Sequence, residues 1–195
     1  MHEYFTLDEE KSLLQWLMDV REGPGYLGIL DLRGWNQKYF SNIEELLPLI
    51  KKYRDTANLY ISMASFRSSN LNRRKENAIN LRSFWLDLDS HGDGKYKCPE
   101  DALSDVTNFI NDSLLPSPNY IHLTGHGIHA IWATNQTIST TEWLQIARAL
   151  RELAEEYGLD IDGEVTTDPA RVLRVPYTIN FRDRQSPIPT KLLGS

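Results

Sequence analysis

The sequence predicts a mixed α/β (α+β) fold, with a small N-terminal α/β lobe over residues 1–80 and a ferredoxin-like lobe over residues 81–190. Helical and strand-like hydrophobic patterns alternate in the first part of the chain. From about residue 81 the order of elements becomes β-α-β-β-α-β, which is the order of the split ferredoxin-like arrangement. In that arrangement helices cover one face of a sheet, and we expect the other face to stay free for chemistry.

The first helix is predicted from a capping box at residues 6–9, and it is expected to run to about Val20. The glycine- and proline-containing residues 22–25 end it. The other elements expected in this lobe are a strand at 26–32, a helix at 42–53, a strand at 58–64 and a long polar loop at 65–80.

The second lobe is predicted to contain a β-hairpin that turns at Gly125-His126-Gly127. Its elements are expected to be a strand at 82–88, a helix at 99–113, strands at 119–124 and 127–134, a helix at 139–157 and a strand at 171–176.

Composition narrows the class of protein. The 195 residues are 41% hydrophobic and 25% charged, which is ordinary for a soluble domain, and no apolar run is long enough to span a membrane. The N-terminus lacks a signal-peptide pattern, and Cys98 is the only cysteine, so we expect a cytoplasmic protein without a disulfide or a cysteine-built zinc site.

A net charge of −6 argues against a protein that coats nucleic acid by bulk charge, but it leaves room for a local basic groove. Two segments could form one. The first holds Arg67, Arg73, Arg74, Lys75 and Arg82 against a single Glu76, and the second holds Arg171, Arg174, Arg182 and Arg184.

Two carboxylates, Asp87 and Asp89, end an apolar and aromatic strand. Side chains alternate along a strand, so both point to one face, about 7 Å apart. Like charges there repel unless a cation compensates, and a hard divalent ion such as Mg²⁺ takes oxygen ligands. The alternative interpretation is an ordinary strand end with its acids in solvent.

The hairpin run from Ile121 to Trp132 contains a second candidate site. Gly125 and Gly127 are predicted to allow a tight turn and a close approach of the backbone to a ligand such as a phosphate. His129 is either a structural residue or a ligand-binding one. A zinc site at His126 and His129 is weakly supported, and the phosphoesterase-like triplet at 122–124 lacks the second copy that such enzymes need.

A third run, from Asp168 to Arg182, combines a carboxylate, an asparagine and several arginines on one short segment. Arginine side chains bind phosphate oxygens with two parallel hydrogen bonds. Taken on its own, the run favours the alternative interpretation of a charged edge strand.

Taken in order, the three runs resemble the archaeo-eukaryotic primase superfamily, and most of all the primase-polymerases of plasmids, phages and mobile or CRISPR-linked elements. Asp87 and Asp89 match its D-x-D strand end. Residues 124–129 match its serine-glycine-x-glycine-x-histidine hairpin, and residues 168–182 match its acid followed by an R-x-L-R-x-P-G-T-x-N-x-K run. The resemblance covers roughly residues 60–185.

Three positions depart from the pattern. Thr124 stands where the family has serine, and Arg182 stands where it has lysine; these keep the hydroxyl and the positive charge. Tyr177 stands where the family has glycine, in a turn close to the expected site.

The resemblance implies a domain with an RRM-like catalytic lobe and a set of roles. Asp87, Asp89 and Asp168 would hold Mg²⁺ or Mn²⁺ and carry catalysis, with Asp162 in reserve for Asp168. Nucleotide-binding residues would be Thr124, Gly125, Gly127, His129, Arg174 and Asn180, and template-binding residues would be Arg67, Arg73, Arg74 and Arg82.

The expected function is that of a DNA-dependent primase-polymerase core that transfers nucleotides by two-metal catalysis. Its partners would be a single-stranded DNA template and primer, nucleoside triphosphates, and a C-terminal helicase or accessory domain, with no membrane. One alternative is a replication initiator that uses the same fold to bind an origin. Another is a tyrosine nicking endonuclease. Enzymes of that class have two histidines one residue apart on one strand, whereas His126 and His129 are three apart.

Overall fold

The structure is a computed structural model that describes residues 5–67, 72–90 and 94–193. The helices are α1 (Leu7–Val20), α2 (Ile43–Tyr53), α3 (Pro99–Ser113), α4 (Thr140–Glu156) and α5 (Gly163–Thr166), with a short 3₁₀ turn at Lys75–Asn77. The strands are β1 (Gly25–Asp31), β2 (Gly34–Phe40), β3 (Asn58–Ser62), β4 (Asn80–Asp89), β5 (Tyr120–Leu123), β6 (Gly127–Ser139), β7 (Val172–Arg174), β8 (Ile179–Asn180), β9 (Ile188–Pro189) and β10 (Lys191–Leu193).

The strands form two four-stranded sheets and one two-stranded ribbon. The first sheet has the order β2-β1-β3-β7, the second has the order β10-β5-β6-β4, and β8 pairs with β9. Every pairing is antiparallel. The predicted mixed α+β fold class is confirmed.

The last predicted strand of the ferredoxin-like lobe lies in the other sheet. β7 pairs with β3 of the first sheet, where Tyr60 is opposite Arg174. The physical reason is burial, because Leu173 and Val175 enter the core cluster that the first sheet covers. The second sheet thus keeps three strands of the expected order, and β10 occupies its remaining edge beside β5.

The sequence analysis missed β2, which forms a tight hairpin with β1. Gly34 has a φ of +107° in the turn that joins the two strands. Residues 34–37 of β2 are exposed, because it is an edge strand with one uncovered face. An exposed edge strand lacks the hydrophobic alternation by which strands are found.

Both faces of the second sheet are covered along most of its length, which corrects the expectation of one free face. On one face Leu86 and Leu88 pack against Val106 and Phe109 of α3. On the other face α1 packs on β4 and β6, and the Ser83 hydroxyl donates to the Val20 carbonyl at 2.8 Å. The acids at the end of β4 lie where the second sheet meets Arg174 of β7 and the preceding Arg171, whose charges act on Asp87; we call this region between the two sheets the cleft.

Hydrogen bonds hold two of the tryptophans of the larger core, Trp85 and Trp143. Trp143 Nε1 donates to the Ser83 carbonyl at 2.8 Å, and Trp85 Nε1 donates to the Val165 carbonyl at 3.0 Å. Buried indole N–H groups need such partners. These contacts fix α4 and α5 against β4.

The predicted capping box is present at the start of α1. The Thr6 hydroxyl accepts from Glu9 N at 3.1 Å, and the Glu9 carboxylate accepts from Thr6 N at 2.8 Å. The predicted loop at 65–80 is irregular where it is described, and residues 68–71 lie outside the described residues. Within the described chain, none of the helices has the length and apolar character needed to cross a bilayer.

Tyr177 adopts a left-handed backbone conformation, with a φ of +59°. Its N–H donates to the Thr190 carbonyl at 3.1 Å, which holds the turn between β7 and β8. This conformation explains why glycine is usual in the pattern that the chain resembles, since a Cβ is strained there.

We expect Tyr177→Gly to be more stable than Tyr177→Ala by about 1 kcal/mol, because alanine keeps the Cβ strain of a left-handed backbone. Both variants lose the same ring, so the comparison isolates the backbone. Urea unfolding measures the difference. At the control position Tyr157, where φ is −81°, the order should reverse and alanine should be the more stable. The same order at both positions would contradict the assigned conformation.

Candidate active site

The two acids at the end of β4 point into the cleft. Leu86 and Leu88, which alternate with them, are fully buried on the opposite face. Asp87 keeps 13% of its side chain exposed, whereas Asp89 is exposed. The strand therefore presents one buried and one open carboxylate on the same face.

Asp87 belongs to a polar row that crosses three strands of the second sheet. It lies opposite His129 on β6, and His129 lies opposite His122 on β5. His129 Nε2 is 3.4 Å from Asp87 Oδ1, and its ring meets the His122 ring edge-on with centroids 5.3 Å apart. The fully buried His122 thus supports one side of the His129 ring, and Asp87 faces the other.

Burial determines the protonation states of this row. It raises the pKa of Asp87 to about 7, and the negative charge of Asp89 adds to the shift while Arg171 opposes it. Burial lowers the pKa of His129 to about 3, helped by the positive charges of Arg174 and Arg171. His129 is therefore neutral at neutral pH, where Asp87 is close to half protonated.

Of the two candidates for a third acid, the structure brings Asp162 close to Asp87. Asp162 N donates to the Asp87 carbonyl at 3.0 Å, and the charge of Asp162 contributes to the raised pKa of Asp87. Asp162 Oδ1 also caps α5 by accepting from Glu164 N and Val165 N. The Oδ1 atom of Asp168 accepts from Ala170 N at 2.9 Å, within its own turn.

Arg174 reaches the cleft from the first sheet. Its Nη1 donates to Asn58 Oδ1 at 2.8 Å, and its Nη2 donates to the Tyr60 hydroxyl at 3.0 Å. The residue is only 8% exposed, and its charge acts on both Asp87 and His129. The sequence analysis missed Asn58 and Tyr60 because they lie more than a hundred residues away, on a strand whose pairing with β7 it did not foresee.

Arg171 was noted in the sequence as part of a basic segment but was given no role. Its charge acts on Asp87 and on His129, so it lies near the polar row. Its Nε atom is buried and has no hydrogen-bond partner among the residues that the structure describes. A partly buried guanidinium whose Nε has no partner is suited to bind an anion.

Packing and hydrogen bonds hold the hairpin turn in place. Gly125 has a φ of +99°, and Thr124 N donates to the Gly127 carbonyl at 3.0 Å. A Cβ at Gly127 would collide with the Leu88 carbonyl, so this glycine permits β6 to approach β4. The buried Asn180 donates through Nδ2 to the Thr124 carbonyl at 2.8 Å and so anchors the turn.

The four arginines expected to bind template differ in exposure and in hydrogen-bond partners. Arg67 and Arg74 are exposed. Arg73 is half-buried, with Nε donating to Gln37 Oε1 at 3.1 Å and Nη1 donating to the Ala170 carbonyl. Arg82 precedes Asp87 by five residues on β4, about 17 Å along a strand, and donates to the Met18 and Thr134 carbonyls.

A groove of about 700 Å³ adjoins Asp168 on the side of α4. Its charged and polar lining includes Lys75, Thr140, Gln145, Arg148, Asp168 and Arg171. Arg171 lines this groove and its charge also acts on Asp87.

The donor set fits a hard divalent cation that keeps part of its hydration. Asp87 and Asp89 offer carboxylate oxygens, and the mutual repulsion that raises the Asp87 pKa is what a cation would relieve. In residues 5–67, 72–90 and 94–193, no three acidic, histidine or cysteine side chains converge enough to hold an ion alone. Water or phosphate oxygens would have to complete the shell, as is usual for Mg²⁺.

We expect the metal-free protein to lose stability as pH rises, because the folded pKa of Asp87 is about 7 and its unfolded value is about 4. Ionisation above pH 4 then costs folding free energy until pH exceeds the folded pKa. Asp87→Asn removes this cost, so its advantage in urea unfolding should grow by about 2–3 kcal/mol between pH 5 and pH 8. With EDTA present, a pH-independent advantage would show that Asp87 ionises normally.

Comparisons with known proteins are consistent with this geometry. A replication protein from Clostridium perfringens is 30% identical over 159 residues, which cover 80% of this chain and 36% of that protein. The chain thus spans about a third of the length of that relative. No protein-family model matches the sequence.

Solved structures show the same fold. The AEP domain of the cyanophage S-2L primase-polymerase has a TM-score of 0.61 at 16% identity, over 98% of this chain and 91% of that one. The catalytic domain of primase RepB′ in complex with initiator DNA has a TM-score of 0.54 at 18% identity, over 95% and 84% of the two chains. The expected resemblance is confirmed at this level: the chain has the fold of the archaeo-eukaryotic primase-polymerase domains.

Proposed function

We propose that the chain is the catalytic core of a DNA-dependent primase-polymerase, which transfers nucleotides to a 3′-hydroxyl or to an initiating nucleotide. The observation that carries the proposal is that Asp87, which shares one face of β4 with Asp89, lies within reach of the charge of Arg174 on β7. Carboxylates for metal ions opposite arginines for phosphates are the two requirements of phosphoryl transfer. The fold of the solved neighbours and the name of the replication-protein relative support this role.

Asp87 and Asp89 would hold Mg²⁺ or Mn²⁺, which when bound would favour deprotonation of the attacking hydroxyl and stabilise charge on the leaving pyrophosphate. For the third acid, the structural contacts of Asp162 with Asp87 favour it over Asp168, which the sequence ranks first. Asp168 would then hold the turn before Arg171, whose N–H donates to the Asp168 carbonyl at 3.0 Å.

Arg174 and Arg171 would bind the triphosphate. Arg174 is held rigidly by Asn58 and Tyr60, and Arg171 keeps a free buried donor. The neutral His129 contacts Asp87 directly, so its first role would be to orient that carboxylate. The Gly125 turn, with Thr124 and Asn180, would shape the adjoining wall of the pocket.

Single-stranded template and primer would lie along the cleft and the groove beside Asp168. The exposed Arg67 and Arg74 are free to reach phosphates. Arg73 and Arg82 would mainly stabilise the fold, because both donate to main-chain carbonyls. A helicase or accessory domain in a longer protein is a further proposal, consistent with the greater length of the relative.

A replication initiator that only binds DNA is the second candidate, favoured by the relative that is named a replication protein. It would bind DNA at the same cleft without transferring nucleotides. The nicking-endonuclease alternative finds no support in the geometry, because His126 lies in the turn and His129 on β6.

The double variant Asp87→Asn, Asp89→Asn should abolish nucleotide transfer while keeping the fold, since it removes charge without changing shape. Extension assays on primed and unprimed templates with Mg²⁺ or Mn²⁺ measure the loss. The matched control is Glu152→Gln, Glu156→Gln, which removes two exposed charges from α4 and should extend normally. Wild-type protein that binds template but never extends it would favour the initiator.

Asp162→Asn and Asp168→Asn test which acid completes the metal site. Asparagine keeps the side-chain oxygen that accepts from Val165 N in one case and from Ala170 N in the other, so both variants should fold. We expect Asp162→Asn to reduce the metal-dependent rate by more than the roughly 10- to 100-fold typical of groups that only support a ligand. Asp168→Asn should remain within that range. The reverse order in single-turnover assays would restore Asp168 as the third metal ligand.

A further inference from the structure

One face of the first sheet carries a row of side chains that leads into the cleft. Gln37, Gly28, Tyr60 and Arg174 are in register across β2, β1, β3 and β7. The row begins at the exposed edge strand and ends at the arginine that faces Asp87. Strands are spaced about 4.8 Å apart, so β2 lies about 14 Å from β7.

Trp35 lies on this face beside the row. It is two residues from Gln37, and its indole covers Gly28, where a Cβ would overlap the ring. The ring centroid is 5.7 Å from that of Tyr60, and the two planes are inclined by 46°. Because Gly28 has no side chain, the indole can lie directly against the sheet.

Covering a glycine is in itself a structural role for an aromatic side chain. The indole does more than cover Gly28, because 44% of Trp35 remains exposed on a surface that leads to the cleft. The Tyr60 hydroxyl accepts a hydrogen bond from Arg174 at 3.0 Å, which holds the Tyr60 ring in place. The ring therefore cannot rotate over the exposed part of Trp35. The exposed indole surface is thus available to a flat partner.

Two arginines flank the Trp35 and Tyr60 rings, although the chain carries a net charge of −6. Arg73 is attached to Gln37 at 3.1 Å, and Arg174 closes the other end of the row. An aromatic surface among arginines is the combination by which proteins bind single-stranded nucleic acid, with bases on the rings and phosphates on the cations.

We propose that Trp35, seated on Gly28 and flanked by Tyr60, is a stacking platform for one unpaired base of the single-stranded DNA template. At about 3.4 Å per stacked nucleotide, the 14 Å between β2 and β7 places that base about four nucleotides from Arg174. The inference rests on the proposed function, since it names the template contact of the same cleft.

The test combines protein variants with template oligonucleotides that each lack one base. Wild-type protein should bind one member of the abasic series more weakly than the intact strand, by roughly 5- to 150-fold for a single stacked base. Trp35→Leu should weaken binding of the intact strand by a similar factor and should no longer distinguish that abasic position. Trp35→Phe should retain part of the discrimination, because it keeps an aromatic face.

Two results would overturn the platform. Trp35→Leu that still discriminates the same abasic position would place the stacked base elsewhere. Trp35→Leu that weakens all oligonucleotides equally, the abasic ones included, would leave Trp35 with only the structural role of covering Gly28. Trp132→Leu is the matched control, because Trp132 packs with the core on the opposite face of the second sheet and its loss should not change the abasic profile.

The platform and the proposed activity fail separately. Binding is measured without nucleotide, so an intact abasic profile in a protein that never extends a primer would retain the platform and reject the polymerase. A protein that extends a primer but has no position sensitive to base removal would retain the polymerase and reject the platform.

Discussion

The site is organised around one buried positive charge, the guanidinium of Arg174 on β7. Arg174 is only 8% exposed, and its donors are met by the neutral groups of Asn58 and Tyr60. A buried cation also needs negative charge nearby, and here the second sheet supplies it through Asp87. This attraction acts where the two sheets meet, so a charged group of each sheet lies at the line of contact.

The same balance explains why the cleft is suited to a cation. Two arginines act on Asp87, but the burial of its carboxylate and the charges of Asp89 and Asp162 outweigh them. The site can relieve this excess by taking up a proton or a metal ion. Metal binding would therefore release a proton from Asp87, which links occupancy of the site to pH. His129 stays neutral in either case and so can contact the carboxylate without competing with the cation.

Local patterns in the sequence predicted most of the helices and strands. The prediction failed where a strand pairs with a partner that is distant in sequence. The capping box of α1, the hairpin at Gly125 and the acids of β4 follow from periodicity and turn chemistry, which act over a few residues. The assignment of β7 to the wrong sheet shows the limit, because a three-residue strand carries no sign of its partner. The same holds for the site. Asp87 and Arg174 could be predicted from sequence motifs, whereas the roles of Asn58, Tyr60 and Arg171 depend on contacts between segments that are distant in sequence.

The placement of β7 has a consequence for how the chain acquires its structure during synthesis. The open edge of β3 finds its partner more than a hundred residues later, so the first sheet stays incomplete until β7 has left the ribosome. Until then the backbone groups along β3 are unpaired, and an unpaired strand edge favours association with other chains. Such distant pairing also slows folding. The strand that delivers Arg174 to the cleft is thus also the one that closes the sheet, so an early-terminated chain would lack both.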